Sequence, residues 1–146
     1  MEQHPHSILL IKDDFSQYSN RFLVYDDPRW HCRLFPNLHT LTDSEDANIT
    51  NIKRHISMYL KSQTTESCFV FEELHTKFSV SAQREKTYLH RFYRCKISGN
   101  AETQKDDFTI DGQHYYWMSI AEMEQDAAIM QYNSDIVAFV KQNANF

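Results

Sequence analysis

The residues of this chain best suited to chemistry are cations and aromatic rings rather than acids. Residues 51–61 read NIKRHISMYLK, whose polar side carries Lys53, Arg54, Ser57 and Lys61, and no acid lies between Asp46 and Glu66. Arg54, with Lys53 or His55 beside it, suits phosphodiester oxygens; the alternative is a solvated helix face. His31, Arg33 and Phe35 alternate ahead of Pro36-Asn37, so Arg33 and Asn37 are either ligand contacts or part of a surface ladder. Lys77, Ser79 and Ser81 alternate as well, offering a cation and two hydroxyls to a phosphate or sugar, or a plain polar strand face. Tyr88, His90 and Phe92 fall on one side of a strand, and Leu89, Arg91, Tyr93 and Cys95 on the other. The second side is the more apolar, and a buried Arg91 there needs a carboxylate or a phosphate, so it either closes a salt bridge or anchors a ligand. The run Tyr115-Tyr116-Trp117 supplies a stacking platform for a base, or packs the core.

Other chemistries are absent from the sequence. Glycine occurs only at Gly99 and Gly112, so no glycine-rich phosphate loop of the Walker or dinucleotide-binding kind can form. Three cysteines, Cys32, Cys68 and Cys95, have no metal-binding or redox spacing and no nucleophile signature. The eight histidines include no i,i+4 helical pair and no HExxH. Glu72 and Glu73 precede His75, but adjacent strand residues point to opposite faces. No catalytic residue, metal ligand or cofactor is therefore expected.

Three short strands come first: Ser7–Lys12, Arg21–Tyr25 and Trp30–Phe35, each closed by acids or proline. A helix over roughly 44–61 follows, with Thr42 and Glu45 in capping-box spacing and apolar residues at Ile49, Ile52, Ile56 and Leu60. Cys68–Phe71, Leu74–Ser81 and Thr87–Ile97 read as extended, Ser98–Asp107 as a polar loop, and His114–Met118 as a last strand. Ser119 and Glu122 open a helical turn, and Ser134–Gln142 forms a final helix. The order predicts one α/β or α+β domain over residues 1–146, with a mixed sheet between helices.

Composition agrees with a globular protein: 41% hydrophobic, 24% charged and 14% aromatic residues in 146. A net charge of −5 argues against a general DNA or RNA binder. The apolar run Ile8–Ile11 is too short for a signal segment or a membrane span, which predicts a cytoplasmic protein.

Trp30-x-x-x-Leu34-x-Pro36 leading into a helix, with the closing element Trp117-Met118-Ser119-Ile120-Ala121-Glu122-Met123, resembles a Nudix domain. Tyr88–Cys95 matches that family's central strand. The resemblance implies an α/β/α sandwich with a curved mixed sheet. The Nudix box itself is missing: with Ile56 aligned to its apolar position, Arg54, His55, Ser57, Met58 and Tyr59 cover the span that should hold the metal-binding glutamates. Among degenerate members, Glu73–Ser81 with Lys86, Thr87 and Tyr88 is similar to the SMODS-associated Nudix domains of bacterial CBASS antiphage effectors.

That similarity implies a protein that is not an enzyme but the receptor of a cyclic di- or trinucleotide. Ligand contacts would be drawn from Arg33, Asn37, Arg54, His55, Lys77, Ser79, Tyr88, His90, Arg91, Tyr116 and Trp117. A homodimer or ligand-induced oligomer fits such a role, and so does the cytoplasmic domain of a membrane effector, its span supplied by another segment. Two rivals stand beside it. One is a nucleotide hydrolase whose metal site is rebuilt from Glu72, Glu73, Glu85 or Asp111; the other is an aromatic-rich protein-interaction module.

Overall fold

A computed structural model describes residues 3–18, 20–79 and 82–144 of the chain. Its first segment runs through β1 (Gln3–Ile11), β2 (Arg21–Asp27), β3 (Cys32–Leu34) and β4 (Asn37–His39) to α1 (Glu45–Leu60). The second runs through β5 (Thr64–Ser79), β6 (Arg84–Ile97), β7 (Asp107–Ile110) and β8 (Gln113–Ser119) to α2 (Ile120–Glu124) and α3 (Ala127–Asn143). The class is mixed α+β, as the sequence predicts.

The strands form two sheets rather than one. In the first, ordered β4-β1-β6-β5, β1 runs parallel to β6 and the other pairs are antiparallel. The second, ordered β3-β2-β8-β7, is antiparallel throughout. A Lys12–Phe22 bridge and a hydrogen bond from Leu9 N–H to the Pro36 carbonyl tie the two together.

The reason for the uninterrupted apolar run in β1 is now visible. Successive side chains alternate sides, and both sides are covered. Ile8 and Leu10 join Val24, Phe92, Met123 and the α3 residues Ile129, Val137 and Val140 in one core. Leu9 and Ile11 join Tyr93, Cys95, Trp117 and the α1 residues Ile52, Ile56 and Leu60 in the other.

Several expected boundaries shift. Ser44, not Thr42, caps α1: its backbone is extended and its hydroxyl accepts from Ala47 N–H at 3.0 Å. The Leu41–Thr42 segment is held instead by Asn48, whose side-chain oxygen accepts from Leu41 N–H at 2.8 Å. The third expected strand, Trp30–Phe35, shortens to β3, with His31 in a turn at φ +55°, and a further strand, β4, follows Pro36 where none was expected. β5 is one continuous strand running through Glu72 and Glu73, where a break was expected, with register shifts between Thr64 and Glu66 and between Phe69 and Phe71. β7 follows the expected loop, sharing only Asp107 with it, in a stretch to which the sequence assigned no element, and α3 begins seven residues early, its helical geometry interrupted at Asn133. The capping box of Ser119 and Glu122 forms as predicted, both hydrogen bonds being present.

Candidate functional site

A cavity of about 260 Å³ opens on the α3 side of the first sheet. Its floor is apolar: Ile8, Val24, Phe35, Met123, Ile129 and Val137. Its upper wall is cationic and aromatic. His4 and His6 come from β1, Lys86, Tyr88 and His90 from β6, and Lys77 from β5. Arg29 and Trp30 enter from the β2–β3 turn, Arg33 from β3, and Asn37 from β4. Three histidines, two lysines and two arginines thus line the cavity, and no carboxylate of the described residues does.

Strand register puts these groups together. In the parallel pairing of β1 with β6, His4 stands opposite Tyr88 and His6 opposite His90. In the β5–β6 hairpin Lys77 stands opposite Lys86, and His75 opposite Tyr88. The rings form a ladder across the sheet, with Tyr88 and His90 stacked at 5.7 Å and His75 and His90 at 4.8 Å between centres. The turn carrying Arg29 and Trp30 is shaped by Asp27, whose Oδ1 accepts both backbone N–H groups at 2.8 and 3.1 Å. Trp30 then packs edge-on against Tyr132 of α3 at 5.9 Å.

Burial sets the protonation states. It is the largest influence on the His90 imidazole and, reinforced by the charges of Lys77, His75 and His6, pushes its pKa down to about 3. His6 is lowered too, chiefly by burial. Burial also lowers Lys77, against the pull of Asp135. Lys77 Nζ donates to Asn133 Oδ1 at 3.1 Å and lies 3.6 Å from the Asp135 carboxylate. His90 Nδ1 is buried and has no hydrogen-bond partner among the described residues.

Of the candidate contacts read from sequence, Arg33, Asn37, Lys77, Tyr88 and His90 converge on this cavity. Arg54 and His55 do not: both lie on α1, which packs on the opposite side of the sheets. Arg54 is exposed there, and His55 stacks on Tyr59 at 4.4 Å. Arg91 also faces the α1 side and closes ion pairs with Glu45 and, at 2.7 Å, with Glu72. The salt-bridge alternative for Arg91 is the one the geometry realises. Ser79 is buried at the β5–β6 turn, its hydroxyl accepting from Ala82 N–H, and Ser81 lies outside the described residues. Tyr116 adjoins the cavity only through Arg33, whose guanidinium sits 3.5 Å over its ring. Trp117 is core, its indole N–H donating to the Thr103 carbonyl at 2.9 Å. The sequence reading missed His4, His6, Arg29, Trp30 and Lys86. The i,i+2 spacing of His4 and His6 was a usable signal, because period two puts both on one face.

Among the described residues no group of three or more His, Cys, Asp or Glu side chains is arranged to hold a metal ion. Arg54, His55, Ser57, Met58 and Tyr59 of α1 offer no carboxylate to a hard divalent cation. No helix of the described residues is long and apolar enough to cross a membrane.

No family model and no curated protein matches the sequence. Solved structures do match. The chain is similar to a NUDIX hydrolase from Nitrosomonas europaea, at 14% identity over 98% of this chain and 88% of that one, TM-score 0.63. It is similar to the C. elegans Ap4A hydrolase, at 12% identity over 97% and 96%, TM-score 0.56. A MutT NUDIX hydrolase from Burkholderia pseudomallei matches at 12% identity over 84% and 87%, TM-score 0.55. The fold is the Nudix fold.

These neighbours overturn the expectation of a protein that is not an enzyme, since each is named a hydrolase. That expectation took carboxylates missing from one helix segment as decisive. In the structure Arg91 joins Glu45 of α1 and Glu72 of β5, acids far apart along the chain, in ion pairs.

Proposed function

We propose that the chain binds a nucleotide in the cavity between the first sheet and α3. The observation that supports this is the lining: seven cationic or imidazole side chains, the aromatic rings of Trp30 and Tyr88, an apolar floor, and no carboxylate among the described residues. Phosphates need neutralisation, which Lys and Arg supply directly. A base needs an aromatic or apolar surface, which Tyr88, Trp30 and the floor supply. A cyclic di- or trinucleotide, the ligand that the CBASS resemblance implies, is the finer form of this reading. A cavity of about 260 Å³ suits one nucleotide unit of such a ring, leaving the remainder for a second protomer.

A second reading is hydrolysis of a nucleotide held in the same cavity, prompted by the neighbours' names, among them an Ap4A hydrolase. One experiment tests both. Cyclic di- and trinucleotides, linear mononucleotides and Ap4A are each added with Mg²⁺ or with EDTA. Melting temperature is followed, and the mixtures are resolved by chromatography. A ligand at 100 times its Kd adds about 2.7 kcal/mol to stability. A melting shift with intact ligand recovered supports binding, and products appearing with time support hydrolysis. No shift and no product across the panel overturns the nucleotide reading.

A further inference from the structure

Two lysines stand directly opposite one another in the cavity wall. Lys77 and Lys86 are register partners in the β5–β6 hairpin and both line the cavity. Like charges directly opposite one another across a strand pair repel and destabilise the pairing. Lys77 is partly answered by Asp135 at 3.6 Å, whereas Lys86 makes no ion pair among the described residues. Arg29, in the same wall, adds a further positive charge.

A second observation lies farther down the strand. His90 is 95% buried (5% exposed) and lines the same cavity, and its Nδ1 has no hydrogen-bond partner among the described residues. Buried polar atoms without partners are uncommon and call for an explanation. Lys86 and His90 are four positions apart, so their backbone positions are about 13 Å apart along β6. Allowing for the reach of the lysine side chain, this is the span of one nucleotide from phosphate to base edge, and more than a phosphate alone can bridge. Tyr88 lies between the two on the same face and is stacked with His90.

We propose that the cavity holds one nucleotide unit in a fixed direction, its phosphate clamped between Lys77 and Lys86 without a metal ion and its base edge hydrogen-bonded to His90 Nδ1. This rests on the nucleotide reading above and adds the polarity, the residues and the independence from metal. Tyr88 underlies the sugar and base, and the apolar floor excludes water from the base.

The test uses calorimetric titration of the full chain in EDTA with a nucleoside 5′-monophosphate, the matching nucleoside and inorganic phosphate. The wild type is compared with Lys86→Met and His90→Phe. The wild type is expected to bind the nucleotide at least tenfold more tightly than the nucleoside. Lys86→Met is expected to lose that difference while keeping its nucleoside affinity. His90→Phe is expected to keep phosphate binding and lose the advantage of nucleotide over phosphate. Lys86→Met also carries a readout that a structural lysine would not give: without ligand it is expected to melt no lower than the wild type, because a repulsion has been removed. Equal nucleotide affinity in the wild type and Lys86→Met overturns the clamp and leaves the nucleotide reading standing. A wild type that binds none of the mononucleotides overturns the nucleotide reading itself. A wild type that needs Mg²⁺ to bind overturns the metal-free clamp alone.

Discussion

His75 Nδ1 lies 3.0 Å from the Asp135 carboxylate, a contact that joins β5 to α3 behind the cavity wall. His75 is buried, Glu73 stands 3.3 Å from its other ring nitrogen, and Lys77 shares Asp135. The pair holds the helix against the sheet edge and places Lys77 beside it.

Asp135 makes stability sensitive to acid. Burial pushes its carboxyl up, but the hydrogen bond to His75 and the charge of Lys77 outweigh this and hold it at about 2. A depressed folded-state pKa stabilises above the unfolded value, near 3.9, and that contribution fades as pH falls toward 2. Asp135→Asn is therefore expected to lower the urea midpoint at pH 7, by about 1 kcal/mol of stability, and to narrow its gap to the wild type at pH 2.5. An equal gap at both pH values would contradict the linkage.

His90 contributes in the same direction over a higher range. Its imidazole, lowered to about 3 by burial, stays neutral in the fold while the unfolded chain takes up a proton below about pH 6.5. The unfolded state then binds more protons, so stability falls as pH drops from 6.5 toward 3, by up to about 1.4 kcal/mol per pH unit. Urea melts of His90→Phe at pH 7, 6, 5 and 4 are expected to show a shallower decline than the wild type.

Asn48 is the polar pivot of the α1 side. Almost fully buried, it accepts from Leu41 N–H at 2.8 Å and donates to Tyr93 Oη at 2.8 Å and to Ser7 Oγ at 3.0 Å. Asn48→Ala removes three hydrogen bonds: Leu41 N–H loses its acceptor, whereas Tyr93 Oη keeps Glu45 and Arg91 and Ser7 Oγ keeps Thr40, and each lost bond costs about 0.5–1.5 kcal/mol. A loss of roughly 3 kcal/mol by denaturant unfolding is expected, with nucleotide affinity unchanged because the cavity is on the other side of the sheets.

Trp30 and Arg54 separate the cavity from the basic helix. Stacking on an aromatic ring contributes about 1–3 kcal/mol per base, so Trp30→Ala is expected to weaken nucleotide binding fivefold or more. Arg54→Ala, on the far side, is expected to bind like the wild type. Calorimetric titration of both variants checks this, and the reverse pattern would move the ligand to α1.

Much of the fold was legible because its signals are local. The period of Ile52, Ile56 and Leu60 gave α1, and the run Ile8–Ile11 gave a strand buried on both faces. The capping box at Ser119 gave the start of α2. What stayed hidden depends on partners distant in sequence. The start of α3 reads weakly because Asn133 interrupts its helical pattern, and β7 is only four residues long. The cavity was half legible: Lys77, Tyr88 and His90 declare themselves by type. Lys86 becomes significant only through the hairpin register that sets it against Lys77, and His6 only through the parallel pairing that sets it against His90. Arg54 misled because basic helix faces are also cheap ways to meet solvent.

The position of β1 has a consequence for how the chain acquires its structure. β1 lies between β4 and β6, so neither hydrogen-bonding neighbour exists when it leaves the ribosome, and the parallel one ends only at Ile97. The β5–β6 hairpin closes over a short turn and can form early, whereas the β1–β6 pairing must close a loop of about eighty residues, a slow step for any chain. Until then Ile8–Ile11 stays uncovered, a short apolar segment with high strand propensity of the kind that aggregates. Lys12, Asp13 and Asp14 follow it directly, flanking charges of the kind that oppose strand association, and in the finished chain Asp13 meets Arg21.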